Sequence, residues 1–260
     1  MLGPHALWLE CGDGVIHGEG DLEIGAPRVL DLFCGAGGAA VGYRRAGCEV
    51  VGVDIKHQKK YPYEFWQTDA LEVLKWGGVG PWLLREFDAI HASPPCQASS
   101  TLRALNPGIT YPELIPRMRE LLIATGLPYV IENVVGSALR DPVMLCGSTM
   151  GDRVRRHRLF ETNFPVTVPG CAHELEHPEF PIGIGSPTNS YRKRMKYTAE
   201  RLSPVAYVYG STRYPGDLAD RKRAMGIDWM TNAELTQAIP PSYTEHIGFY
   251  LVTAVKARRQ

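Results

Sequence analysis

The sequence lacks the features that mark several broad classes of protein. Its 260 residues include only 6 cysteines, too few for a scaffold held by disulfides, so reduced thiols are expected. It also lacks an excess of either charge, with 28 Lys and Arg against 28 Asp and Glu. Domains that bind nucleic acid are usually basic, so this balance argues against such a partner unless the charges are unevenly distributed along the chain.

Long hydrophobic runs are also missing. The apolar stretch 247–255 is far shorter than the roughly 20 residues that a membrane-spanning helix needs. The N-terminal segment is acidic and has no basic start followed by an apolar core, so it does not resemble a signal peptide. We therefore expect a cytoplasmic protein with no membrane association. With 44% hydrophobic and 22% charged residues, the composition is that of an ordinary globular protein.

Apolar runs alternate with helical patterns through the first half of the chain. The predicted strands are residues 28–33, 49–54, 87–92 and 128–134, and the predicted helices are residues 39–46, 69–76 and 112–124. Strands that alternate with helices predict an α/β fold built on a parallel sheet. Ligands of such sheets bind at the carboxyl ends of the strands.

The alternation ends near residue 158. Prolines and glycines are frequent over residues 161–204 and predict an irregular insertion. A last helix is expected over about residues 240–256, opened by a capping box of Ser242 and Glu245. The predicted divisions are an N-terminal arm (1–26), a main α/β domain (27–160), a small irregular region (161–220) and a C-terminal segment that returns to the main domain (221–260).

A glycine-rich loop, DLFCGAGG at residues 31–38, follows the first predicted strand. Its glycines allow a ligand to approach the backbone, and the next helix begins there. The Lys-Ser/Thr pair of an ATP-binding loop is absent, which argues against ATP. Asp54 follows the second strand at a position suited to ribose hydroxyls, and Asp69 follows the next segment. An adenosine-containing cofactor is therefore predicted, with a purely structural tight turn as the alternative.

Two further residues follow predicted strands. Cys96 comes directly after two prolines, so a stiff loop carries its thiol, although a Pro-Pro-Cys loop can also be structural. Glu132 ends a strand that is otherwise apolar, where a carboxylate is costly unless it binds a partner or is neutralised. An ion-paired or helix-capping acid is the alternative for Glu132.

Other polar clusters are less specific. Four arginines lie close together and could be a solvated basic turn: Arg153, Arg155, Arg156 and Arg158. Cys171, His173 and His177 do not have the spacing of a common zinc site, and no metal is predicted. The remaining thiols are expected to serve packing: Cys11, Cys48 and Cys146.

Four motifs in this order resemble the cytosine-5 DNA methyltransferase family. They are the cofactor loop DLFCGAGG (31–38), the nucleophile loop PPCQ (94–97), the glutamate motif ENV (132–134) and the Arg-x-Arg motif RHR (156–158). The resemblance covers about residues 28–160 well and 221–255 weakly. It implies a Rossmann-like methyltransferase sheet, with residues 161–220 as a small target-recognition insertion.

The resemblance implies S-adenosylmethionine as the cofactor. Phe33 would lie near the adenine, Asp54 would bind the ribose and Asp69 the adenine amino group. The full set of implied cofactor-binding residues is Asp31, Phe33, Cys34, Gly35, Gly37, Gly38, Asp54, Ile55, Asp69, Ala70 and Pro94.

The implied activity is methyl transfer to C5 of cytosine in DNA. Cys96 would be a covalent nucleophile, and Glu132 would bind the N3 and amine edge of the base. Arg158 would contact the base O2, with Arg156 in support. The base would have to be flipped out of the duplex.

The implied DNA-binding residues fall into two groups. Gln97, Ser99, Ser100 and Arg103 follow the nucleophile, and Arg192, Lys193, Arg194 and Lys196 lie in the insertion. Residues 1–150 carry a net charge of −5 and residues 151–224 a net charge of +5, so the zero total conceals a basic section suited to phosphates. A monomer is expected, and a cognate restriction endonuclease is a candidate partner.

Two departures from the family pattern leave alternatives open. Gln237 stands where the family usually has Asn, and the recognition insertion is short. The same chemistry on a cytosine in RNA or in a free nucleotide is the first alternative. A non-catalytic relative that binds nucleic acid is the second, although the set of Cys96, Glu132 and the two arginines argues against it.

Overall fold

The computed structural model describes residues 25–75, 84–95, 113–152, 154, 156–171 and 218–260. The predicted N-terminal arm and most of the predicted insertion lie outside these ranges. No helix in the described ranges is both long and apolar enough to cross a membrane.

A seven-stranded sheet forms the centre of the described part of the chain. Its strands are β1 (Arg28–Leu32), β2 (Glu49–Asp54), β3 (Glu64–Gln67), β4 (Ala89–Ala92), β5 (Tyr129–Asn133), β6 (Val143–Cys146) and β7 (His157–Thr162). They lie in the order β3-β2-β1-β4-β5-β7-β6. The first five are parallel to one another, while β7 runs antiparallel to both β5 and β6.

Seven helices accompany these strands in the described ranges. They are α1 (Gly38–Arg45), α2 (Ala70–Lys75), α3 (Ile115–Thr125), α4 (Gly147–Met150), α5 (Leu218–Met225), α6 (Asn232–Gln237) and α7 (Pro241–Arg259). The predicted α/β fold with its parallel sheet is confirmed. The antiparallel β6–β7 pair was not predicted, and the predicted boundary at residue 160 falls inside β7.

The central strands β1, β2, β4 and β5 are short and largely apolar because both faces of the sheet are covered there. One face packs against α1 and α7 through residues such as Val29, Val50 and Val130, all buried. The other packs against α2 and α3 through Leu30 and Ile131. A strand buried on both faces reads as a continuous apolar run, which is the pattern the sequence shows.

Close packing of α1 on α7 positions the loop before α1. A Cβ atom at Gly42 would lie 2.1 Å from the carbonyl oxygen of Pro241. The Thr244 hydroxyl donates to the carbonyl oxygen of Ala39 at 2.8 Å. Glycine at position 42 therefore allows the two helix backbones to meet, and α7 packs against α1.

The predicted capping box at Ser242 and Glu245 is wrong. The N-cap of α7 is Pro240, with no side-chain capping bond, and Ser242 instead donates a hydrogen bond to the carboxylate of Asp152. A capping box does form one helix earlier, where Thr231 and Glu234 cap α6 reciprocally. The Ser-x-x-Glu pattern fails at α7 because Pro241 already occupies the first helical position, which suits proline.

A buried ion pair joins α3 to β7. Arg119 and Glu161 are each 4% exposed, and Arg119 Nε and Nη2 donate to the two carboxylate oxygens at 2.6 and 2.7 Å. The backbone N–H of Arg140 donates to Glu161 as well, at 2.8 Å. This ion pair holds β7 against α3. It therefore also helps to position the first residues of β7.

Candidate active site

The glycine loop leaves an open face at the end of β1. Phe33 has φ of 59°, and Gly35 and Gly37 have φ of 50° and 89°, values that glycine adopts without strain. A Cβ atom at Gly35 would meet nothing within 4 Å, whereas one at Gly37 would lie 2.7 Å from Pro62 Cδ. The loop is therefore packed on one side and open beside Gly35, where a ligand can reach the backbone.

Asp54 lies at the end of β2 and faces this loop. Its carboxylate accepts hydrogen bonds from the backbone N–H of Gly35 at 3.1 Å and of Lys56 at 2.8 Å. The next side chain, Ile55, is 65% exposed. Asp69 caps the start of α2 by accepting from the backbone N–H of Leu71 at 2.8 Å. A partly exposed carboxylate next to an exposed aliphatic side chain can bind a ribose and an adenine face.

Asp31 is a fully buried carboxylate inside β1. Its Oδ2 accepts from the Tyr61 hydroxyl at 3.5 Å, and its Oδ1 has no hydrogen-bond partner among the described residues. Burial raises the pKa of this carboxyl to about 8, against a smaller lowering by the Tyr61 bond. This carboxyl is therefore mostly protonated at neutral pH and lies buried beneath the glycine loop.

The buried Asp31 carboxyl predicts a specific pH dependence of stability. Folding raises the pKa of this carboxyl. The free energy of unfolding should therefore fall as pH rises from about 4 to about 8, because only the unfolded state ionises freely in that range. Asp31→Asn has no carboxyl to ionise. The difference in unfolding free energy, variant minus wild type, should therefore be more positive at pH 8 than at pH 5 by on the order of 2–4 kcal/mol. Urea unfolding at the two pH values measures it.

The control for this prediction is Ile123→Ala, which changes an exposed side chain that carries no titratable group. The difference between this control and wild type should be the same at both pH values. Parallel pH curves for wild type and Asp31→Asn would show that Asp31 does not ionise in this range.

The C-terminal stretch that departs from the family pattern packs against the glycine loop. A Cβ atom at Gly38 would lie 2.5 Å from the Ile239 carbonyl oxygen and 3.1 Å from Ala238 Cβ. The Trp229 indole N–H donates to the Ala36 carbonyl at 2.8 Å. Gln237 itself is exposed. The segment thus supports the loop through its backbone and small side chains.

A second group of polar residues lies at the carboxyl ends of β4 and β5. Glu132 is 6% exposed, and its Oε1 lies 2.9 Å from Arg158 Nε. Burial raises the pKa of Glu132, while Arg158, Arg156 and a hydrogen bond from Ser93 oppose the rise. The carboxyl can therefore hold a proton more readily than an exposed glutamate, yet remains paired to a guanidinium.

Asn133 fixes the chain that leads to Cys96. Its side-chain amide donates to the Pro94 carbonyl oxygen at 2.8 Å, and its own carbonyl accepts from the Val134 backbone N–H at 2.9 Å. Pro94 is buried and Pro95 is exposed. Cys96, the next residue, lies outside the described residues, so the structure brings Glu132 to the segment before Cys96.

A chain of buried side chains extends from Glu132 into the core. Ser93 Oγ lies 2.7 Å from His91 Nε2, and His91 Nδ1 lies 2.8 Å from the Tyr43 hydroxyl. Burial lowers the pKa of His91 to about 3, so the ring is neutral and has one donor and one acceptor nitrogen. We assign Nε2 as the donor, because Ser93 can then donate its own proton to Glu132.

Sequence reasoning missed His91 and Ser93. The available signal was a histidine in an otherwise apolar strand, Ala89-Ile90-His91-Ala92, which ends at the nucleophile loop. Tyr43 gave no signal, because its position opposite His91 depends on how α1 packs against the sheet.

The two arginines of the Arg-x-Arg motif face different partners. Arg158 pairs with Glu132, whereas the buried guanidinium of Arg156 donates to the carbonyl oxygens of Leu235 and Thr236 at 3.3 and 2.6 Å. The backbone carbonyl of Arg156 accepts from the Tyr243 hydroxyl. Arg156 therefore links the C-terminal segment to the start of β7.

The predicted DNA-binding residues lie outside the described part of the chain. They are Gln97, Ser99, Ser100, Arg103, Arg192, Lys193, Arg194 and Lys196. The described part does bring together the predicted cofactor residues at the ends of β1 and β2, and Glu132 with Arg158 at the end of β5. The first group lies beside β1 and the second beside β4. The strand order reverses between β1 and β4, and open α/β sheets bind ligands at such a point.

Solved structures show which class of protein has this fold. A crystal structure from E. coli described as a prophage-encoded DNA modification methyltransferase aligns over 89% of this chain and 100% of its own, with 17% identity and a TM-score of 0.55. The Dnmt2 methyltransferase of S. pombe aligns over 90% and 100%, with 13% identity and a TM-score of 0.54. At these identities the likeness establishes the fold, a Rossmann-like methyltransferase sheet.

Sequence comparison adds a likeness to a family. Residues 27–109 match the family described as C-5 cytosine-specific DNA methylase, the family that the motifs resemble, and this range holds the cofactor loop and the nucleophile loop. The type II methyltransferase M.AgeI of Thalassovita gelatinovora is 28% identical over 50% of this chain. The chain spans about a third of that relative, 32% of its length.

Proposed function

We propose that the protein transfers a methyl group to C5 of cytosine in DNA through a covalent adduct of Cys96. The observation that carries this proposal is the buried Glu132–Arg158 pair, 2.9 Å apart, beside the anchored segment that ends at Pro95. It places an acid of raised pKa and a cation next to the chain that bears a thiol. That combination suits a pyrimidine whose ring must accept a nucleophile.

S-adenosylmethionine is the methyl donor we infer. Its adenosine would lie against the open face of Gly35, with Asp54 at the ribose, Ile55 and Phe33 at the adenine, and Asp31 beneath the loop. The cofactor supplies an electrophilic methyl group on a sulfonium, whose positive charge suits this acidic half of the chain. Asp69, Ala70 and Pro94 complete the proposed cofactor site.

Cys96 makes the cytosine reactive. Its thiolate forms a bond to C6, and the ring electrons move to C5, which becomes nucleophilic. The cofactor held at the glycine loop would supply the methyl group to this activated C5. Loss of the C5 proton to a base restores the C5–C6 double bond and expels the Cys96 thiolate.

Glu132 and Arg158 stabilise the ring while Cys96 is bound. The Glu132 carboxyl would share a proton with N3 and accept a hydrogen bond from the exocyclic amine, so electron density entering the ring is neutralised. Arg158 would face the O2 edge and holds Glu132 in place. Arg156 is a positioning residue in this proposal, because its guanidinium is bonded to Leu235 and Thr236.

A cytosine within a duplex cannot reach this buried pair, so the base must be flipped out. The section with net positive charge, residues 151–224, is the part we expect to contact phosphates. A restriction endonuclease that cuts the same sequence is the partner we propose, in keeping with the type II methyltransferase that the chain resembles.

Ser93 is predicted to tune Glu132. Its hydrogen bond lowers the pKa of Glu132, so Ser93→Ala should raise that pKa and move the pH profile of kcat to higher pH. Because the protonated carboxyl is the active form in this proposal, kcat at pH values above the wild-type optimum should rise by up to about 10-fold, since one hydrogen bond to a charged group contributes about 1.5 kcal/mol. Initial rates of methyl transfer across a pH series measure the shift.

Ser137→Ala is the matched control, because the Ser137 hydroxyl has no hydrogen-bond partner among the described residues. Its pH profile should equal that of wild type. If Ser93→Ala changes kcat without moving the profile, Ser93 does not act through the protonation of Glu132.

The proposed substrate is tested with labelled S-adenosylmethionine and a panel of duplex DNA, RNA and CMP. Label should enter duplex DNA and appear as 5-methylcytosine after hydrolysis. Label in RNA or CMP, with none in DNA, would favour the same chemistry on another substrate. Binding of DNA without any transfer to the panel would favour a non-catalytic relative.

A further inference from the structure

Two thiols and an imidazole form a cluster at the β6–β7 pair. The imidazole belongs to the middle residue of the Arg-x-Arg motif. Cys146 ends β6, His157 begins β7, and Cys171 follows β7 in the chain. Their ligand atoms all lie within 4.8 Å of one another. Cys171 Sγ and His157 Nε2 are 3.3 Å apart, and Cys146 and His157 are register partners in the β6–β7 pair.

The spacing of these atoms suits zinc. Zinc binds sulfur at about 2.3 Å and imidazole nitrogen at about 2.0–2.1 Å in a tetrahedron, so its ligand atoms lie roughly 3.5–3.8 Å apart. The distance of 3.3 Å between Cys171 Sγ and His157 Nε2 is close to this range, and no pair of the three ligand atoms is more than 4.8 Å apart. Thiolate and imidazole are also the donors that zinc prefers over the harder oxygen ligands.

A bound cation would compensate the charge of a thiolate at Cys146. This side chain is 1% exposed, and a buried thiolate is costly unless its charge is compensated. Ser148 Oγ donates to Cys146 Sγ at 3.2 Å, the type of second hydrogen bond that orients metal ligands. Two thiolates and a neutral imidazole would make the site with Zn²⁺ neutral overall.

We propose that Cys146, His157 and Cys171 bind one Zn²⁺ ion, which braces the β6–β7 pair. The ion would join the end of β6, the start of β7 and the chain that leads into the predicted insertion. His157 lies between Arg156 and Arg158, so the same ion would fix the backbone from which Arg158 reaches Glu132. Its role is structural.

The sequence did not predict this site because its ligands are distant in the chain. Cys146 was expected to serve packing, and Cys171 was considered only with His173 and His177, which lie outside the described residues. The three ligands are separated by 11 and 14 positions in the sequence, which matches no short zinc motif. Strand pairing brings them together.

Metal analysis of the full chain tests the proposal. Protein purified under reducing conditions and equilibrated with Zn²⁺ should retain one ion per chain after gel filtration. Cobalt substitution should give the ligand-field bands of a tetrahedral site and a thiolate-to-metal charge-transfer band. Cys171→Ser, which changes an exposed residue, should weaken Zn²⁺ affinity by at least about 10-fold, as loss of a metal-site residue does.

Cys48→Ala is the matched control, because it removes a buried thiol at the start of β2 that lies outside the cluster. It should bind Zn²⁺ as wild type does. Equal zinc retention by wild type and Cys171→Ser would overturn the proposal. So would wild-type protein that retains no zinc, or a Cys146–Cys171 disulfide found by peptide mapping of the protein purified with reductant.

Discussion

Replacement of Cys96 by alanine is expected to lower methyl transfer by at least about 10⁴-fold, the scale seen when a covalent nucleophile is removed. Without the thiolate, C6 receives no nucleophile and C5 stays too electron-poor to attack the methyl group. Binding of S-adenosylmethionine should change less than about 3-fold, because the proposed cofactor residues lie at the ends of β1 and β2. Single-turnover transfer and calorimetric cofactor binding measure the two effects.

Cys48→Ala serves as the control for thiol loss, since Cys48 is fully buried in the core beside β2. It should retain activity within a few fold. Substantial transfer by Cys96→Ala would contradict the covalent mechanism. Loss of cofactor binding together with activity would instead assign Cys96 to the cofactor site.

Glu132→Gln is expected to give the second largest loss, about 100- to 1000-fold in kcat, as for other groups that stabilise charge developing in a transition state. The amide keeps the size of the side chain and can still accept from Arg158 and Ser93, but it cannot hold a proton for N3. Initial rates at saturating cofactor and DNA measure the loss.

The pH dependence separates this role from a structural one. The raised pKa of Glu132 means that wild-type kcat should fall as pH rises and the carboxyl loses its proton. Glu132→Gln should lack that decline, and urea unfolding should show that the variant remains folded. If kcat of Glu132→Gln declines at high pH as wild-type kcat does, the essential acid is another residue.

The fold could be predicted from the sequence because its signals are local. Each central strand is a short apolar run, and the glycine loop, Asp54 and Glu132 follow strands in order. Parallel pairing then brings these strand ends to one edge of the sheet. The ordered motifs consequently predicted the resemblance to the methylase family that residues 27–109 match, and they pointed to strand ends that the structure brings to one edge of the sheet.

Contacts between distant segments could not be predicted in the same way. The Arg119–Glu161 pair, the Tyr43–His91–Ser93 chain and the Cys146–His157–Cys171 cluster each join residues on different elements. They depend on strand order, on register and on the packing of α1, which no local pattern specifies. The capping box assigned to Ser242 failed for a local reason, since Pro241 had already opened the helix.

Trapping on DNA that contains 5-fluorocytosine tests the central proposal most directly. After methyl transfer the fluorine cannot leave C5 as a proton does, so Cys96 should remain bonded to C6. Wild-type protein with S-adenosylmethionine should form a denaturation-resistant complex with this DNA, and peptide mapping should locate the bond at Cys96. If wild type methylates ordinary DNA but forms no adduct, or if Cys96→Ala forms one, the account is contradicted.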